Sequence, residues 1–169
     1  AKIDESINSI KEYYEDINLS QEEFYNKLSD ENVSVSTSQP STYYLREIWD
    51  ECLKNAEEIL YIPMSSGLSA SQANAQAQST YYQGKVQVVD NQRISVTQKE
   101  SVLEAIELVR LGKSAKEIRE YLESTREISS IYIVVDTLKY LKKGGRITPA
   151  GAALGTILRI KPVLQIRGK

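Results

Sequence analysis

The order of apolar runs and helical stretches predicts an α/β protein, and three observations carry that reading. Short β-prone runs at Val33–Ser36, Ile59–Ile62 and Val86–Val89 alternate with longer stretches of helical composition. The connections between them are short, as a parallel, doubly wound sheet requires. Two hydroxyl clusters, Thr37-Ser38-Gln39-Pro40-Ser41 and Ser65-Ser66-Gly67-Leu68-Ser69, fall at strand-to-helix junctions.

The elements follow in order. The chain is polar and acidic up to Ser20, where Ser20-Gln21-Glu22-Glu23 reads as a capping box for a helix with Phe24 and Leu28 as an i, i+4 apolar pair. After the strand Val33–Ser36, Pro40 opens a helix whose Leu45, Ile48, Trp49 and Leu53 form one apolar face. Ile59–Ile62 is a buried strand, Ser69–Tyr82 an Ala- and Gln-rich helix, and Val86–Val89 a third strand ended by Asp90. Thr97-Gln98-Lys99-Glu100 is expected to cap a helix with Val102, Leu103, Ile106 and Val109 inward, stopped by Gly112. Ser114-Ala115-Lys116-Glu117 caps a further helix carrying Ile118 and Leu122. Near Ser129 the pattern changes to a strand, Ile131–Val135, then a short amphipathic helix, Leu138–Lys143, broken by Gly144-Gly145-Arg146. Thr148-Pro149 reads as the start of an Ala/Gly-rich helix to Leu158, and Lys161–Ile166 as a last strand without a second arm.

Composition excludes several classes of function. With 169 residues the chain can bury one good core, and 41% hydrophobic and 26% charged residues are ordinary for a soluble globular protein. A net charge of −2 gives no electrostatic case for nucleic acid, and the eleven tyrosines form no basic, aromatic-interleaved stripe. They are expected at half-buried helix positions with wet hydroxyls. No apolar run reaches membrane-spanning length and Ala1-Lys2-Ile3-Asp4-Glu5 has no signal-peptide profile, so a cytoplasmic location is expected. Zero histidines remove the commonest metal ligand and general base, and no metal is expected. Cys52 is expected within a helix spanning 42–56, as a buried or half-buried thiol rather than a nucleophile.

Hydroxyls and free N–H groups at strand-to-helix junctions suit an anionic head group, a carboxylate or phosphate held by neutral donors. The simpler role of a Ser or Thr before a helix is an N-cap, worth about 1 kcal/mol.

These residues, taken in order, resemble the DegV family of bacterial fatty-acid-binding proteins. The resemblance runs from about Tyr13 to Lys169 and rests on Glu22-Glu23-Phe24-Tyr25, on both hydroxyl clusters, on Asp136-Thr137-Leu138-Lys139-Tyr140-Leu141-Lys142-Lys143-Gly144-Gly145-Arg146-Ile147 and on Leu154–Val163. It implies an N-terminal α/β domain with a three-layer parallel sheet over residues 1–126, its first strand missing. Residues 127–169 would begin a second α/β, lipid-binding domain with an antiparallel sheet. It also implies a long-chain fatty acid as ligand, with no cofactor, its acyl tail buried. The protein would be the non-catalytic subunit of a fatty-acid kinase, presenting the carboxylate to a separate ATP-binding subunit that makes an acyl-phosphate. By the same resemblance Thr37 and Ser69 contact the carboxylate, Arg146 bonds it directly or through water, and Ser38, Ser65 and Ser66 support the loops.

The chain departs from the family in three ways. It opens past the family's first strand with its Thr-Asp-Ser, and lacks the roughly one hundred further residues, with a carboxylate-contacting histidine, expected of a two-domain protein. It therefore reads as a fragment. Local motifs also differ: Leu68-Ser69-Ala70-Ser71 stands for Leu-Ser-Gly-Thr, Asp90-Asn91 for Asp-Ser, and Ser95-Val96-Thr97-Gln98 for a Gly-rich segment. Glycine lost from a tight loop restricts φ, so the pocket wall near 91–98 is expected to differ. Two other readings are an enzyme acting on a small anionic substrate with Asp90 or Asp136 as base, and a degenerate scaffold or interaction module.

Overall fold

The computed structural model describes residues 2–6, 9–14, 17–30, 32–148 and 161–167, with side chains from residue 11 onward. It divides into two compact units, Ala1–Gln39 and Pro40–Lys169.

The first unit holds a three-stranded antiparallel sheet in the order β2-β1-β3, with β1 at Lys2–Ser6, β2 at Ser9–Glu12 and β3 at Ser34–Ser36. Lys2 stands opposite Glu12 on one side and Ser36 on the other. Two sequence expectations change here. The polar opening is a hairpin, and β3 pairs antiparallel with β1 instead of joining a parallel sheet. Strand formation in so polar a stretch rests on pairing between segments, which local propensity does not display. Helix α1, Gln21–Ser29, begins as expected, with the Ser20 hydroxyl accepting the Glu23 N–H at 3.2 Å.

In the second unit, strands β4 (Ile59–Tyr61) and β5 (Val86–Val88) pair in parallel, Ile59 opposite Val86 and Tyr61 opposite Val88. Helices α2 (Thr42–Cys52) and α3 (Ser71–Ser79) contribute to one core, in which Leu45, Trp49, Ala75, Val86 and Val88 pack with Ile59, Tyr61 and Tyr82. Helices α4 (Ser95–Arg110) and α5 (Ala115–Ser124) contribute to another, in which Val89, Ala105, Ile118 and Leu122 pack with Leu60, Ile62 and Leu108. The odd residues of β4 serve the first core and the even ones the second, the period-two division of a strand covered on both faces. Trp49, 2% exposed, packs edge-on against Tyr61 and Tyr82 at centroid distances of 5.5 and 5.4 Å. This is the three-layer parallel arrangement the sequence predicts.

Caps and turns set the element ends. Ser41 caps α2, accepting the Tyr44 N–H at 3.1 Å, and Ser114 and Glu117 form the expected capping box of α5. At Gly112, φ is +78° and the Lys113 N–H reaches the Leu108 carbonyl at 3.1 Å, closing α4.

Five further expectations are corrected. Helix α4 starts at Ser95, and the Thr97 hydroxyl turns back to the Ile94 main chain. Its buried residues are Ser101 and Ala105, whereas Val102, Leu103, Ile106 and Val109 are 42–60% exposed. The inward side, Ser101 with Ala105 and Leu108, combines a polar network at Ser101 with apolar packing against the second core. Ile48 is also exposed beside the buried Leu45 and Trp49. Cys52 lies in α2 as expected, at its last residue, but is exposed, and the helix stops four residues before the expected end. Tyr43, Tyr44, Tyr81, Tyr121 and Tyr132 are exposed, while Tyr61 and Tyr82 are half-buried.

Beyond α5, β6 (Ile131–Val134) pairs antiparallel with β7 (Val163–Ile166), Tyr132 opposite Gln165. The last strand thus has a partner, supplied by β6 across the sequence and not by a following hairpin arm. Helix α6 spans Lys139–Lys143, and the Lys139 N–H donates to the Thr137 hydroxyl at 3.1 Å. The helix expected from Pro149 to Leu158 lies outside the described residues. No described helix is long and apolar enough to cross a membrane.

Candidate functional site

Parallel strands that pair side by side bring the loops at their carboxyl ends together, where open α/β sheets bind ligands. Here the loop after β4 is joined to the loop after β5 and to α4 by one hydrogen bond each. The Ser65 N–H donates to the Arg93 carbonyl at 2.9 Å, and the Gln98 side-chain amide donates to the Ile62 carbonyl at 3.0 Å.

Ser65 organises the second hydroxyl cluster. It is 2% exposed; its carbonyl accepts the N–H groups of Leu68 and Ser69, and its hydroxyl accepts that of Gly67 at 3.3 Å. The tight turn leaves two hydroxyls with different duties. Ser66 Oγ is buried and has no hydrogen-bond partner among the described residues. Ser69 Oγ accepts the Ser71 N–H at 3.1 Å and lies 2.8 Å from Ser71 Oγ. With Ser71 donating, both acceptor positions of Ser69 are filled and its own proton is free to point outward.

Arg146 reaches the same loop. The chain leaves α6 through Gly145, at φ +71°, with the Arg146 N–H bonded to the Leu141 carbonyl at 2.9 Å. That turn sends the exposed guanidinium to the Leu68 carbonyl, 3.3 Å from Nε, while Nη1 donates to the Gly144 carbonyl. Gly145 supplies the left-handed conformation at this turn. Ser66, Ser69 and Arg146 are therefore gathered around one loop. Thr37 and Ser38 belong to the first unit, exposed, directly after β3.

The loop after β5 carries a group that sequence reading missed. Arg93, 9% exposed, donates from Nη1 to Ser101 Oγ at 3.1 Å, and from Nη2 to the Thr125 carbonyl and hydroxyl at 3.2 and 3.0 Å. Asn91 donates to the same Ser101 hydroxyl at 2.8 Å, and that hydroxyl donates to the Thr97 carbonyl. Glu104 stands 3.9 Å from Nη1 and accepts the Tyr121 hydroxyl, which holds that phenol's pKa above its ordinary value. The available signal was Ser101, a polar residue in an apolar helical run.

The expectation of an altered loop at 91–98 takes a definite form. Left-handed backbone occurs at Gln92 (φ 58°) and Ser95 (φ 51°), not at Val96 or Thr97. Of the two candidate bases, Asp136 is exposed and ion-paired with Lys161 at 2.6 Å, which lowers its pKa. The Asp90 N–H donates to Glu123 at 2.9 Å. Among the described residues no three His, Cys, Asp or Glu side chains cluster to hold a metal.

The second unit is a parallel-stranded α/β layer with a serine-lined loop at its carboxyl edge. The profile of the family described as uncharacterised DegV proteins matches residues 6–169, and the chain belongs to the DegV family. A DegV domain-containing protein of Deinococcus radiodurans is 38% identical over 133 residues, covering 79% of this chain and 47% of its own length. A DegV family protein from Thermus thermophilus, solved as a study of its fatty acid binding, superposes with a TM-score of 0.80 at 32% identity, over 98% of this chain and 58% of that one. DegV of Bacillus subtilis, described as a fatty acid binding protein, gives 0.77 at 28% identity, over 98% and 58%. The chain thus spans about half the length of the relatives it matches.

Proposed function

We propose that this chain forms the head-group end of a fatty-acid site, holding a long-chain carboxylate at the Ser65–Ser69 loop. The observation that carries the reading is Ser66 Oγ, buried without a hydrogen-bond partner among the described residues, in the same loop as the Ser69 hydroxyl. An unmet buried hydroxyl costs about 1–3 kcal/mol, and a carboxylate oxygen would relieve it. Fatty acid binding in the Thermus and Bacillus relatives supports the same assignment.

The chemistry is consistent. Each buried methylene of an acyl tail contributes about 0.8 kcal/mol, so the tail supplies affinity and the head group orientation. Neutral hydroxyls hold a carboxylate without the tight ion pair that would blunt its nucleophilicity. That is what transfer of a phosphoryl group from a separate ATP-binding kinase subunit requires, and acyl-phosphate formation with such a partner belongs to this proposal. Arg146 sits at the loop as a cation. For Thr37 and Ser38 a carboxylate role rests on the family resemblance alone, as does the division into a first domain over 1–126 and the start of a second over 127–169.

Ser69→Ala and Arg146→Ala in the natural protein should lower acyl-phosphate formation more than fatty-acid affinity. Unchanged acyl-phosphate formation in both variants would remove these residues from the site.

A further inference from the structure

Arg93 is a buried cation with no place in the head-group chemistry just described. Burying a guanidinium is expensive unless its donors are met. Here Nη1 donates to Ser101 and Nη2 to the Thr125 carbonyl and hydroxyl, Nε is buried without a partner among the described residues, and the nearest carboxylate, Glu104, lies 3.9 Å away. The loop it occupies is also strained. Left-handed φ at Gln92 and Ser95 brackets Arg93, and each costs an L-residue about 1–2 kcal/mol. Such a backbone persists only where its surroundings over-determine it. The guanidinium clamp supplies that constraint, tying residue 93 to α4 through Ser101 and to the end of α5 through Thr125. The Arg93 carbonyl in turn accepts the Ser65 N–H, the residue on which the Ser66–Ser69 turn is built.

We infer that Arg93 is a positioning residue: its buried clamp fixes the Arg93 carbonyl, and through Ser65 it aims the Ser66 and Ser69 hydroxyls at the ligand head group. The inference rests on the fatty-acid reading. It assigns Arg93 to head-group selection, which tail burial alone does not provide. Lys is a poor substitute, because one ammonium cannot span Ser101 and Thr125 as a planar fork does.

The test compares binding of palmitic acid with that of its methyl ester, which keeps the tail and removes the carboxylate charge. It uses the natural protein and its Arg93→Lys, Thr125→Ala and Thr125→Ser variants. The wild type should prefer the acid. Arg93→Lys and Thr125→Ala should lose about tenfold of that preference, the scale of one hydrogen bond to a charged group, while ester affinity is retained. Thr125→Ser, which keeps the hydroxyl, should restore the preference. The Thr125 pair carries the test if Arg93→Lys does not fold. A wild type that prefers the acid beside folded variants with the same preference overturns the role of Arg93 alone. Equal loss of acid and ester affinity also overturns it, since that marks a general structural effect. A wild type that binds neither compound overturns the fatty-acid reading and this role with it.

Discussion

The Ser65 N–H and the Arg93 carbonyl meet at 2.9 Å, so the loop after β4 and the loop after β5 form one stitched rim. The hydroxyl cluster is thereby held by main chain and by the Ser65 and Ser69 hydroxyls, and the Ser66 hydroxyl is left for other work. That separation of support from contact underlies the predictions that follow.

Ser66→Ala should act in opposite directions on stability and binding. Removing a buried, unpartnered hydroxyl raises the stability of the ligand-free protein by about 1 kcal/mol. It also weakens fatty-acid binding, because the carboxylate loses its donor. Thermal denaturation without and with ligand checks this; a fall in ligand-free Tm would contradict it.

Ser95→Gly should stabilise the protein. Ser95 is exposed with φ at 51°, a conformation glycine adopts freely. After glycine's own entropic cost, the gain expected is about 0.5–1 kcal/mol. Urea denaturation measures it, and a loss of stability would show that the left-handed turn carries no strain.

Trp49→Ala should cost about 3–5 kcal/mol, because the ring is buried between α2 and the sheet and stacks edge-on with both Tyr61 and Tyr82. Trp49→Phe should cost much less. Chemical denaturation of the two variants checks the order.

Acid should weaken the start of α5 through Glu117. The Lys113 ammonium, with the Ser114 main-chain and hydroxyl donors, holds the Glu117 pKa at about 2, below its ordinary 4.5. A depressed folded pKa stabilises above the unfolded value, and that contribution fades as pH falls from 4.5 through about 2. Glu117→Gln should therefore lose less stability than the wild type across that window. Parallel acid denaturation curves for the two proteins would contradict the assignment.

Much of the second unit was legible in the sequence because its signals are local. Ile59–Ile62 and Val86–Val89 are continuous apolar runs, and Ser114 with Glu117 is a self-contained cap. The opening hairpin was not legible, since Lys2–Glu12 owes its strands to cross-strand pairing and carries no apolar alternation. The face of α4 differs from the expectation because Val102, Leu103, Ile106 and Val109 have helical spacing, yet Ser101, bonded to Arg93, faces inward together with Ala105 and Leu108. Of the site, Ser66, Ser69 and Arg146 were visible as motif positions. Arg93 was not, because its partners Ser101 and Thr125 lie 8 and 32 residues away.

The central claim, that this rim holds a fatty-acid carboxylate, is tested most directly by mass spectrometry of an organic extract from the purified natural protein. A long-chain fatty acid at about one equivalent per chain, reduced by combined Ser66→Ala and Ser69→Ala substitution, is the result predicted. A monodisperse, folded protein that yields no fatty acid and takes up none when it is supplied would contradict the account.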